Sequence, residues 1–486
     1  MRALPFRQPF LLAVTGAVAF LAAGPDARAQ TAPDPAGATT TPAARPLAVT
    51  YQQFTLPNGL RVILHEDHRV PMVTVNVWYH VGSGREAPGR TGFAHLFEHL
   101  MFEGSGHVKE GDFDNLLEAV GGNNNGSTST DRTNYYITVP SNALELALFL
   151  ESDRLGYLLD AMSPAKVDGQ RDVVKNERRQ GVENAPYGVA ENDVLPAMLF
   201  PNGHPYSWST IGSMDDLSAA SYEDVVGFFK QYYVPSNASL VVAGDIDPAA
   251  ARALVEKWFA DVPAGARVPP VDPPAAALTG VVRRTVDDRV QLPRLYVGWL
   301  TPARFAPGDA ELDLLAAVLA GGKNARLYKR LVYELQIAQD VEAFQVSQAL
   351  GSWFGIMVTA RQPKDEAGQA SSWPAAAIAR VQAIVDEEIE RLRAAPPEAR
   401  ELERAVNQFE AGFFDRLEQA SGFGGKADQL NAYYVATGNP DWFNEDLARY
   451  RAITPVDLQA AALTWLPRDR RVELVVEPRR DESPRQ

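Results

Sequence analysis

The sequence predicts a mixed α+β protein made of two similar halves. Helix-like and strand-like segments follow one another without the regular alternation that marks a parallel α/β fold. A stretch rich in Pro, Ala and Gly at residues 263–280 separates two halves of about two hundred residues each. The order of strand, loop and helix around residues 295–322 repeats the order around residues 75–105. We therefore predict two related α+β domains, at residues 47–262 and 281–478.

The first half opens with strands. Residues 51–67 have strand-like composition on both sides of a Pro-Asn-Gly turn at residues 57–59, which predicts a hairpin. A run of β-branched and aromatic residues predicts a third strand at residues 73–84. Apolar residues at helical spacing then predict helices at residues 93–102 and 113–119.

The remaining elements of the first half are predicted from the same patterns. In chain order they are a strand, a helix, a strand and a helix, at residues 127–139, 142–159, 239–246 and 248–259. A further helix lies between them. Ser163 followed by Pro164 is typical of a helix start, and we predict that this helix runs to about Val182.

The chain begins with the pattern of an export signal. Two early arginines precede an apolar run at residues 10–24, which is too short to span a membrane comfortably, and an Ala-Arg-Ala cleavage pattern follows. We predict that residues 1–29 are a cleaved signal peptide, that no stable membrane anchor remains, and that the mature protein is periplasmic. Residues 30–46, rich in Pro, Ala and Thr, are predicted to be a disordered linker, and residues 479–486 a tail.

Composition excludes several kinds of chemistry. The formal net charge is −15, from 61 acidic and 46 basic residues, which argues against nucleic acid as a partner because phosphate binding needs a basic surface. The chain has no cysteine, so disulfides, thiolate catalysis and cysteine-bound metals are excluded. Any metal ion must therefore be bound by His, Asp or Glu.

The five residues HLFEH carry the strongest chemical signal. His95 and His99 are four positions apart, so a helix places both imidazoles on one face. Glu98 stands beside His99, where it can reach a water on a metal ion without being a ligand. This H-x-x-E-H order is the reverse of H-E-x-x-H and is a signature of zinc hydrolases. Catalytic zinc takes three protein ligands, so a third must come from elsewhere.

The same residues also fit an ordinary helix. Seven histidines could produce this spacing by chance, and an amphipathic helix would tolerate it. The apolar residues around the motif indicate a buried helix, in which histidine and glutamate side chains need partners. A metal ion would supply one, so we favour a metal site, with chance spacing as the open alternative.

Several longer motifs identify a resemblance that covers nearly the whole chain, from about Gln52 to Pro478. These motifs are specific when they are taken together. In chain order the motifs are LPNGLRVIL, VWYHVGSGRE, HLFEH, NNNGSTSTDRTNYY, VVKNERR, HPYSWSTIGS and YYVPSNASLVVAGDI. They resemble the pitrilysin/insulinase family of zinc peptidases, in particular its short, two-domain, processing-peptidase-like members. The resemblance implies that each domain is a sheet covered by helices and that the chain forms half of a clamshell.

The resemblance also implies the missing ligand. The family places a glutamate on a later helix, and Glu177 stands at that position in VVKNERR. By this carry-over His95, His99 and Glu177 bind one zinc ion per chain, and Glu98 is the general base. Many members carry a second glutamate seven residues before the ligand, where this chain has Gln170. We expect Gln170 to tune the site from outside the ligand set without adding a charge.

The second half departs further from the family pattern. Active members use an Arg-x6-Tyr pair from this half to hold the substrate and stabilise the oxyanion. The matching positions are Val332 and Gln339, which can supply neither a guanidinium nor a phenol. Arg326 and Tyr333 keep the spacing one register earlier, and we assign them to a structural helix, with a catalytic role as the less favoured alternative. We therefore predict no oxyanion clamp in this chain and a second family subunit that supplies it.

Substrate contacts follow from the resemblance as well. The family's chamber admits unfolded peptides, and residues 127–135 resemble the edge strand to which a substrate is added as a further strand. The predicted contacts are Asn125, Ser127, Thr128 and Ser129. The alternative interpretation is a polar loop that leads into a surface strand.

The function predicted from the sequence is that of a zinc metallopeptidase. It would hydrolyse internal bonds of unfolded peptides in the periplasm, as the zinc-bearing half of a dimer. One alternative is a non-catalytic peptide-binding or structural subunit of a peptidase complex. Another is a periplasmic metal-delivery protein, but the His-rich or acidic loop that such a protein would carry is absent from the sequence.

Overall fold

The computed structural model describes residues 46–361 and 375–479. The predicted signal peptide, the predicted disordered linker up to residue 45 and the predicted tail after residue 479 lie outside these ranges. The described residues from Ala48 onward form one compact unit. The predicted interdomain linker at residues 263–280 contains no helix or strand. The division into two domains at this segment stays a prediction.

The strands of the described residues form two sheets. They are β1 (Gln52–Thr55), β2 (Arg61–Glu66), β3 (Met72–Tyr79), β4 (Asn123–Thr128), β5 (Thr133–Pro140), β6 (Ala238–Gly244), β7 (Val282–Asp288), β8 (Arg294–Thr301), β9 (Ala338–Val346), β10 (Ser352–Ala360) and β11 (Val472–Pro478). The first sheet has the order β1-β2-β6-β3-β5-β4 and the second β7-β11-β8-β10-β9. Neighbouring strands are antiparallel except for β2 with β6 and β7 with β11. Strand β4 is therefore a free edge of the first sheet.

Helices cover both sheets. In the described residues they are α1 (Phe93–Leu100), α2 (Asp112–Ala119), α3 (Leu144–Ala161), α4 (Pro164–Arg178), α5 (Leu195–Leu199), α6 (Met214–Ala219), α7 (Tyr222–Tyr232), α8 (Pro248–Phe259), α9 (Asp309–Ala320), α10 (Ala375–Ala394), α11 (Ala399–Glu418), α12 (Lys426–Thr437), α13 (Phe443–Arg451) and α14 (Pro455–Trp465). The Ser163 side chain caps α4 by accepting a hydrogen bond from the Lys166 N–H, as the Ser-Pro pair predicts. The predicted α+β fold with two helix-covered sheets is confirmed.

Strand β3 shows why the first sheet is covered on both faces. Val73, Val75 and Val77 alternate along one face and belong to the main core of the first half. The opposite face presents Asn76 and Trp78, which are also buried. Buried polar groups need partners, and α12 of the second half supplies them.

Each half contributes a helix to the other half's sheet. Helix α12 packs on the first sheet, where Asn431 donates to the Asn76 side chain at 2.8 Å. Helix α5 packs on the second sheet, where Leu199 approaches Gly298 so closely that a Cβ at that glycine would lie 3.2 Å from Leu199 Cδ2. Leu199 shares a core with the buried residues Val472 and Leu474 of β11. The two sheets are therefore tied together by reciprocal packing.

Asp428 of α12 is the polar centre of this contact. Its Oδ1 accepts hydrogen bonds from Trp78 Nε1 and Asn134 Nδ2, both at 2.7 Å, and from Asn76 Nδ2 at 3.3 Å. Its Oδ2 accepts from the Gly424 N–H at 2.8 Å. One buried carboxylate thus satisfies four donors, three of which belong to the other half.

We expect Asp428→Ala to lower the free energy of unfolding by about 3–5 kcal/mol, because it leaves several buried donors without an acceptor. Urea denaturation of the purified chain measures this loss. Asp415→Ala is the matched control, because Asp415 is exposed on α11, and it should change the free energy by less than about 0.5 kcal/mol. Equal midpoints for the two variants would contradict the assignment of Asp428 as the polar centre.

Two strand predictions were wrong at their boundaries. The segment predicted as a single strand at residues 127–139 is the end of β4, a turn at residues 129–132, and β5. The Ser129 N–H donates to the Arg132 carbonyl and closes this turn. The third strand ends at Tyr79 instead of residue 84. Gly82 leaves the sheet because it packs on the turn, where a Cβ would lie 2.1 Å from the Ser129 oxygen.

Candidate metal centre

Helix α1 begins at a glycine and is capped by a buried glutamate. Gly92 has a φ of 89°, which favours glycine, and directly precedes the helix. The Glu86 carboxylate accepts hydrogen bonds from the Gly92 N–H at 3.0 Å and the Ala94 N–H at 2.8 Å. Burial raises the pKa of Glu86 to about 8, against the lowering effect of these donors. The cap fixes the start of the helix that carries the HLFEH motif.

A loop residue connects α1 to α4. Gly212 lies so close to Gly92 that a Cβ built on Gly212 would be 2.4 Å from the Gly92 Cα. The Gly212 carbonyl accepts a hydrogen bond of 2.6 Å from Arg178 Nη1. Arg178 is the neighbour of Glu177 at the end of α4, so the same loop fixes the position of both helices.

His95, His99 and Glu177 meet between α1 and α4. His99 Nε2 lies 3.2 Å from Glu177 Oε2, and His95 Nε2 lies 3.8 Å from Glu177 Oε1. One donor atom from each residue lies within 4.8 Å of the others, and residues 46–361 and 375–479 contain no second group of this kind. The structure therefore brings together the three residues that the sequence predicted as ligands.

These separations fit a zinc ion. Ligand atoms about 2.1 Å from a tetrahedral ion lie roughly 3.4 Å from one another, and the observed values of 3.2 and 3.8 Å lie on either side. Burial lowers the pKa of His95 to about 4, which keeps this imidazole neutral, as a ligand must be. Burial raises the pKa of Glu177, but its contacts with His99 and His95 outweigh that effect and lower the pKa, so the carboxylate is charged.

The pKa of His99 is governed by its carboxylate neighbours. Burial lowers the pKa of His99, but its hydrogen bond to Glu177 and the charges of Glu177, Glu98 and Glu103 raise it overall. His95 Nδ1 is buried and has no hydrogen-bond partner in the described part of the chain.

Glu98 lies beside the three ligands and is positioned by β4. Its Oε2 accepts a hydrogen bond of 2.6 Å from Thr128 Oγ1. A Cβ built on Gly126 would lie 3.1 Å from Glu98 Cγ, so the glycine makes room for the side chain. Burial raises the pKa of Glu98, and the Thr128 bond and the nearby His99 act in the opposite direction. The site thus contains a buried carboxyl group that is suited to accept and release a proton.

The Gln170 side chain contacts Glu103 and not the three ligand residues. Its Nε2 donates to Glu103 Oε1 at 2.7 Å, and it forms no hydrogen bond to His95, His99 or Glu177. Glu103 stands just after α1 and its charge acts on His99. Gln170 therefore lies outside the group of three ligand residues, and its influence on zinc affinity stays a prediction.

The four predicted substrate contacts divide between different tasks. Thr128 faces Glu98, as described above. Ser127 Oγ donates to Asn134 Oδ1 at 2.6 Å on the opposite face of the strand. Ser129 Oγ accepts from the Asp131 N–H at 3.2 Å and belongs to the turn. The predicted edge strand at residues 127–135 is therefore wrong in its bounds, because the free edge is β4 and residues from Thr133 onward pair on both sides.

Asn125 is the fourth of these residues. It is exposed on the edge strand, and its Oδ1 accepts a hydrogen bond of 2.8 Å from the Gly126 N–H. Its side chain therefore covers a main-chain donor at the free edge.

The positions of the oxyanion clamp hold residues with structural tasks. Val332 packs against the core of the second half, and Gln339 is exposed on β9. Arg326 forms a two-point ion pair with Glu401 of α11, at 2.8 and 2.6 Å. Tyr333 is 76% exposed. The carboxylate of Glu401 thus occupies the guanidinium of Arg326, which agrees with the structural assignment of that residue.

Sequence reasoning missed the residues that support the ligands. Glu86, Arg178 and Glu103 were not predicted, although the first two lie inside motifs of the resemblance. A buried acid a few residues before a helix start is a recognisable signal for Glu86. Glu103 has no local signal, because its partner Gln170 is 67 positions away.

The fold and the site together define a class of protein, the zinc hydrolases with an inverted H-x-x-E-H motif. Residues 61–203 match the family described as insulinase, peptidase family M16, and residues 219–409 match the M16 inactive domain. The chain belongs to this family of zinc proteases.

Individual relatives agree with this assignment. The zinc protease PqqE of Helicobacter pylori is 32% identical over 298 residues, which are 59% of this chain and 65% of that protein. An uncharacterized zinc protease of Mycobacterium tuberculosis is 30% identical over 316 residues, which are 62% of this chain and 70% of the relative. The crystal structure of a protease from Helicobacter pylori has a TM-score of 0.79 and 26% identity, and the match covers 89% of this chain and all of the other.

No helix within residues 46–361 and 375–479 combines the length and the apolar character needed to cross a bilayer.

Proposed function

We propose that this chain is a zinc metallopeptidase that hydrolyses internal bonds of unfolded peptides. The observation that carries the proposal is the convergence of His95, His99 and Glu177, with the buried carboxyl of Glu98 beside them. Two imidazoles and one carboxylate leave a fourth position open on a tetrahedral ion, as in catalytic zinc sites. One such group is found in the described residues, which supports one zinc ion per chain.

The chain's own side chains divide the chemistry between them. A bound zinc ion would lower the pKa of a coordinated water and polarise the scissile carbonyl. Glu98 would take the proton at one of its carboxylate oxygens and later give it to the leaving amine nitrogen. Thr128 holds one oxygen of Glu98, which leaves the other for this transfer. Burial raises the pKa of Glu98, which makes it a stronger base than an exposed glutamate.

The free edge of β4 favours the proposal that the substrate is a peptide. The Ser129 N–H bonds to the Arg132 carbonyl, and antiparallel pairs alternate between bonded and unbonded positions. The main-chain groups of Thr128 and Gly126 therefore point away from β5 and can pair with an added strand. At Gly126, a substrate would first have to displace the Asn125 side chain, which accepts from the Gly126 N–H. Gly126 and Thr128 are also the residues that touch Glu98. A peptide paired there would lie next to the base, and main-chain pairing would tolerate many sequences.

Residues of the second half favour the proposal of a partner subunit. Val332 and Gln339 can supply neither a guanidinium nor a phenol, and Glu401 holds Arg326. We therefore propose that this chain is the zinc-bearing half of a dimer and that a second family subunit supplies an arginine and a tyrosine. The same residues favour a second candidate function, a peptide-binding subunit without activity of its own. The apolar run and cleavage pattern near the N-terminus support a periplasmic location.

The test is cleavage of an unstructured quenched-fluorescence peptide pool by chain 30–486, with the zinc content measured on the same sample. One zinc per chain and cleavage would establish a self-sufficient peptidase and contradict the dimer proposal. One zinc without cleavage would favour a catalytic half that needs its partner. A chain that binds no zinc would contradict the proposed function itself.

We expect Gly126→Val to lower kcat at least about tenfold, because a displaced catalytic group loses its alignment. The new side chain would push against Glu98 Cγ, 3.1 Å from the Cβ position, and against the Tyr135 ring at 3.0 Å. Zinc content should stay at that of the unmodified chain. Gly169→Val on α4 is the control, because no atom lies within 4 Å of its Cβ position. An unchanged kcat for Gly126→Val would show that β4 does not position the base.

A further inference from the structure

The turn between β4 and β5 is held by a loop of the second half. Thr130 Oγ1 accepts a hydrogen bond of 2.8 Å from Gln348 Nε2. Asp131 Oδ2 accepts one of 3.0 Å from the Ala349 N–H. Gln348 and Ala349 belong to the turn between β9 and β10, so the tips of two hairpins, one from each half, are joined.

A second connection runs beneath the same hairpin. Ser127 Oγ donates to Asn134 Oδ1 at 2.6 Å, and Asn134 Nδ2 donates to Asp428 Oδ1 at 2.7 Å. Ser127 lies on the free edge strand and Asp428 on α12. The edge strand is thus linked to the second half through a single intermediate side chain.

Arg132 completes this network. Its Nη1 donates to the Ser127 carbonyl at 2.9 Å and to Ser127 Oγ at 2.7 Å. Its guanidinium lies over the Trp78 ring, 5.4 Å from the centroid. Burial lowers the pKa of Arg132, and the charges of Asp428 and Glu98 act in the opposite direction. This half-buried guanidinium therefore holds Ser127, near the end of β4 that leads into the turn.

An edge strand needs such a fastening more than an inner strand does. Among the described strands β4 pairs with β5 alone, so one row of its main-chain groups has no neighbouring strand there. Strands with few buried contacts open more readily than the core of a sheet. Thr128, which holds Glu98 at 2.6 Å, directly follows Ser127. Motion at the end of β4 would therefore move the base as well as the proposed pairing edge.

We propose that Arg132 is a positioning residue through which the catalytically inert second half fixes the substrate-pairing edge and Glu98. This inference deepens the proposed function and rests on it. One path runs from Asp428 through Asn134 to Ser127. A second runs from Asp428 to Trp78, whose ring lies under the Arg132 guanidinium, and from Arg132 to the same serine. Thr128 follows Ser127 in the chain. The second half thereby has a task in this chain although it carries no part of the metal centre.

Hydrogen–deuterium exchange of chain 30–486 tests the proposal without any substrate. We expect Arg132→Gln to speed amide exchange in residues 123–128 at least about tenfold, because a charge-assisted hydrogen bond is lost. Arg132→Lys should restore part of the protection. Arg400→Gln, which changes an 82% exposed side chain, should leave these residues unaffected. Unchanged exchange in residues 123–128 of Arg132→Gln would overturn the proposal.

A second variant and a second readout complete the test. If Arg132→Gln fails to fold, Ser127→Ala removes the hydroxyl that both Arg132 and Asn134 contact, and the same increase in exchange is expected. In a Glu98→Gln background, Arg132→Gln should raise the Kd of a fluorescein-labelled unfolded peptide about tenfold at constant zinc content. Equal Kd values would overturn the inference. A chain that binds no peptide before Arg132 is changed would instead contradict the proposed function, and exchange would still decide the role of Arg132.

Discussion

Glu98→Gln is expected to lower peptide cleavage by about 10²–10⁴-fold, the usual contribution of a general acid–base group. The amide has nearly the shape of the carboxyl and can still accept the Thr128 hydrogen bond through its oxygen. It cannot take up a proton at neutral pH, so only the chemical step loses its base. Because Glu98 is not among the three ligands, the variant should keep one zinc per chain. Turnover of the peptide pool and zinc content, measured on one sample, check both expectations.

A matched glutamate separates this effect from a general loss of charge. Glu145→Gln alters an exposed residue at the start of α3, far from α1 in the sequence and paired with Lys257. It should leave turnover within twofold, as expected for a surface change. Should the isolated chain prove inactive, the comparison is made after addition of the partner subunit. Full turnover by Glu98→Gln would remove Glu98 from the proposed mechanism, and loss of zinc would make it a structural residue.

The local parts of the site could be predicted from the sequence. The positions of His95, Glu98 and His99 on one helix follow from spacing, because neighbours on a helix face lie three or four residues apart. The start of α4 follows from Ser163 and Pro164, because serine is a preferred N-cap and proline suits the first helical position. Glu177 could be assigned only through the family resemblance, since no local rule pairs a residue of α4 with a residue of α1.

The long-range parts of the site could not be predicted in this way. Asn134 and Asp428 are 294 positions apart, and neither has neighbours that mark it as a hydrogen-bonding partner. Gln170 was expected to act outside the ligand set, but its contact with Glu103 depends on how α1 and α4 cross. The segment at residues 127–139 was predicted as one strand because its composition is strand-like throughout, whereas the turn at residues 129–132 depends on the Ser129 side chain, which accepts from the Asp131 N–H.

The residues at the predicted clamp positions can be compared with those that pack the second half on the first sheet. The clamp positions hold Val332 and Gln339, and the cation that keeps the clamp spacing, Arg326, is bound to Glu401. Yet α12 remains in place on the first sheet, and Asp428 satisfies buried donors there. The packing role of the second half therefore does not depend on an arginine and a tyrosine at these positions. A separate subunit could supply the missing groups without any change in how this chain folds.

Glu177 is the one carboxylate among the three proposed zinc ligands. Glu177→Gln is expected to weaken zinc binding by more than about 100-fold, since even contacts outside the ligand set contribute up to that factor. The amide lacks the negative charge that balances the ion, and it lies where the carboxylate approaches His99 to 3.2 Å. Competition with a chelating zinc indicator measures the change. Glu103→Gln is the matched control, because it alters a nearby carboxylate outside the ligand set. It should weaken zinc binding by at most about 100-fold.

Glu177→Gln should also change the pKa of His99 in the metal-free chain. In the metal-free chain, burial lowers the pKa of His99, and the hydrogen bond to Glu177 is the largest of the effects that raise it above the ordinary histidine value. Removing the carboxylate should therefore lower the pKa of His99, and a histidine NMR titration would follow the shift. The pKa of His95 is set mainly by burial, with the charge of Glu177 a smaller effect, so it should move less. A zinc affinity and a His99 pKa that both stayed unchanged would place Glu177 outside the metal centre, because the geometry requires the two quantities to change together.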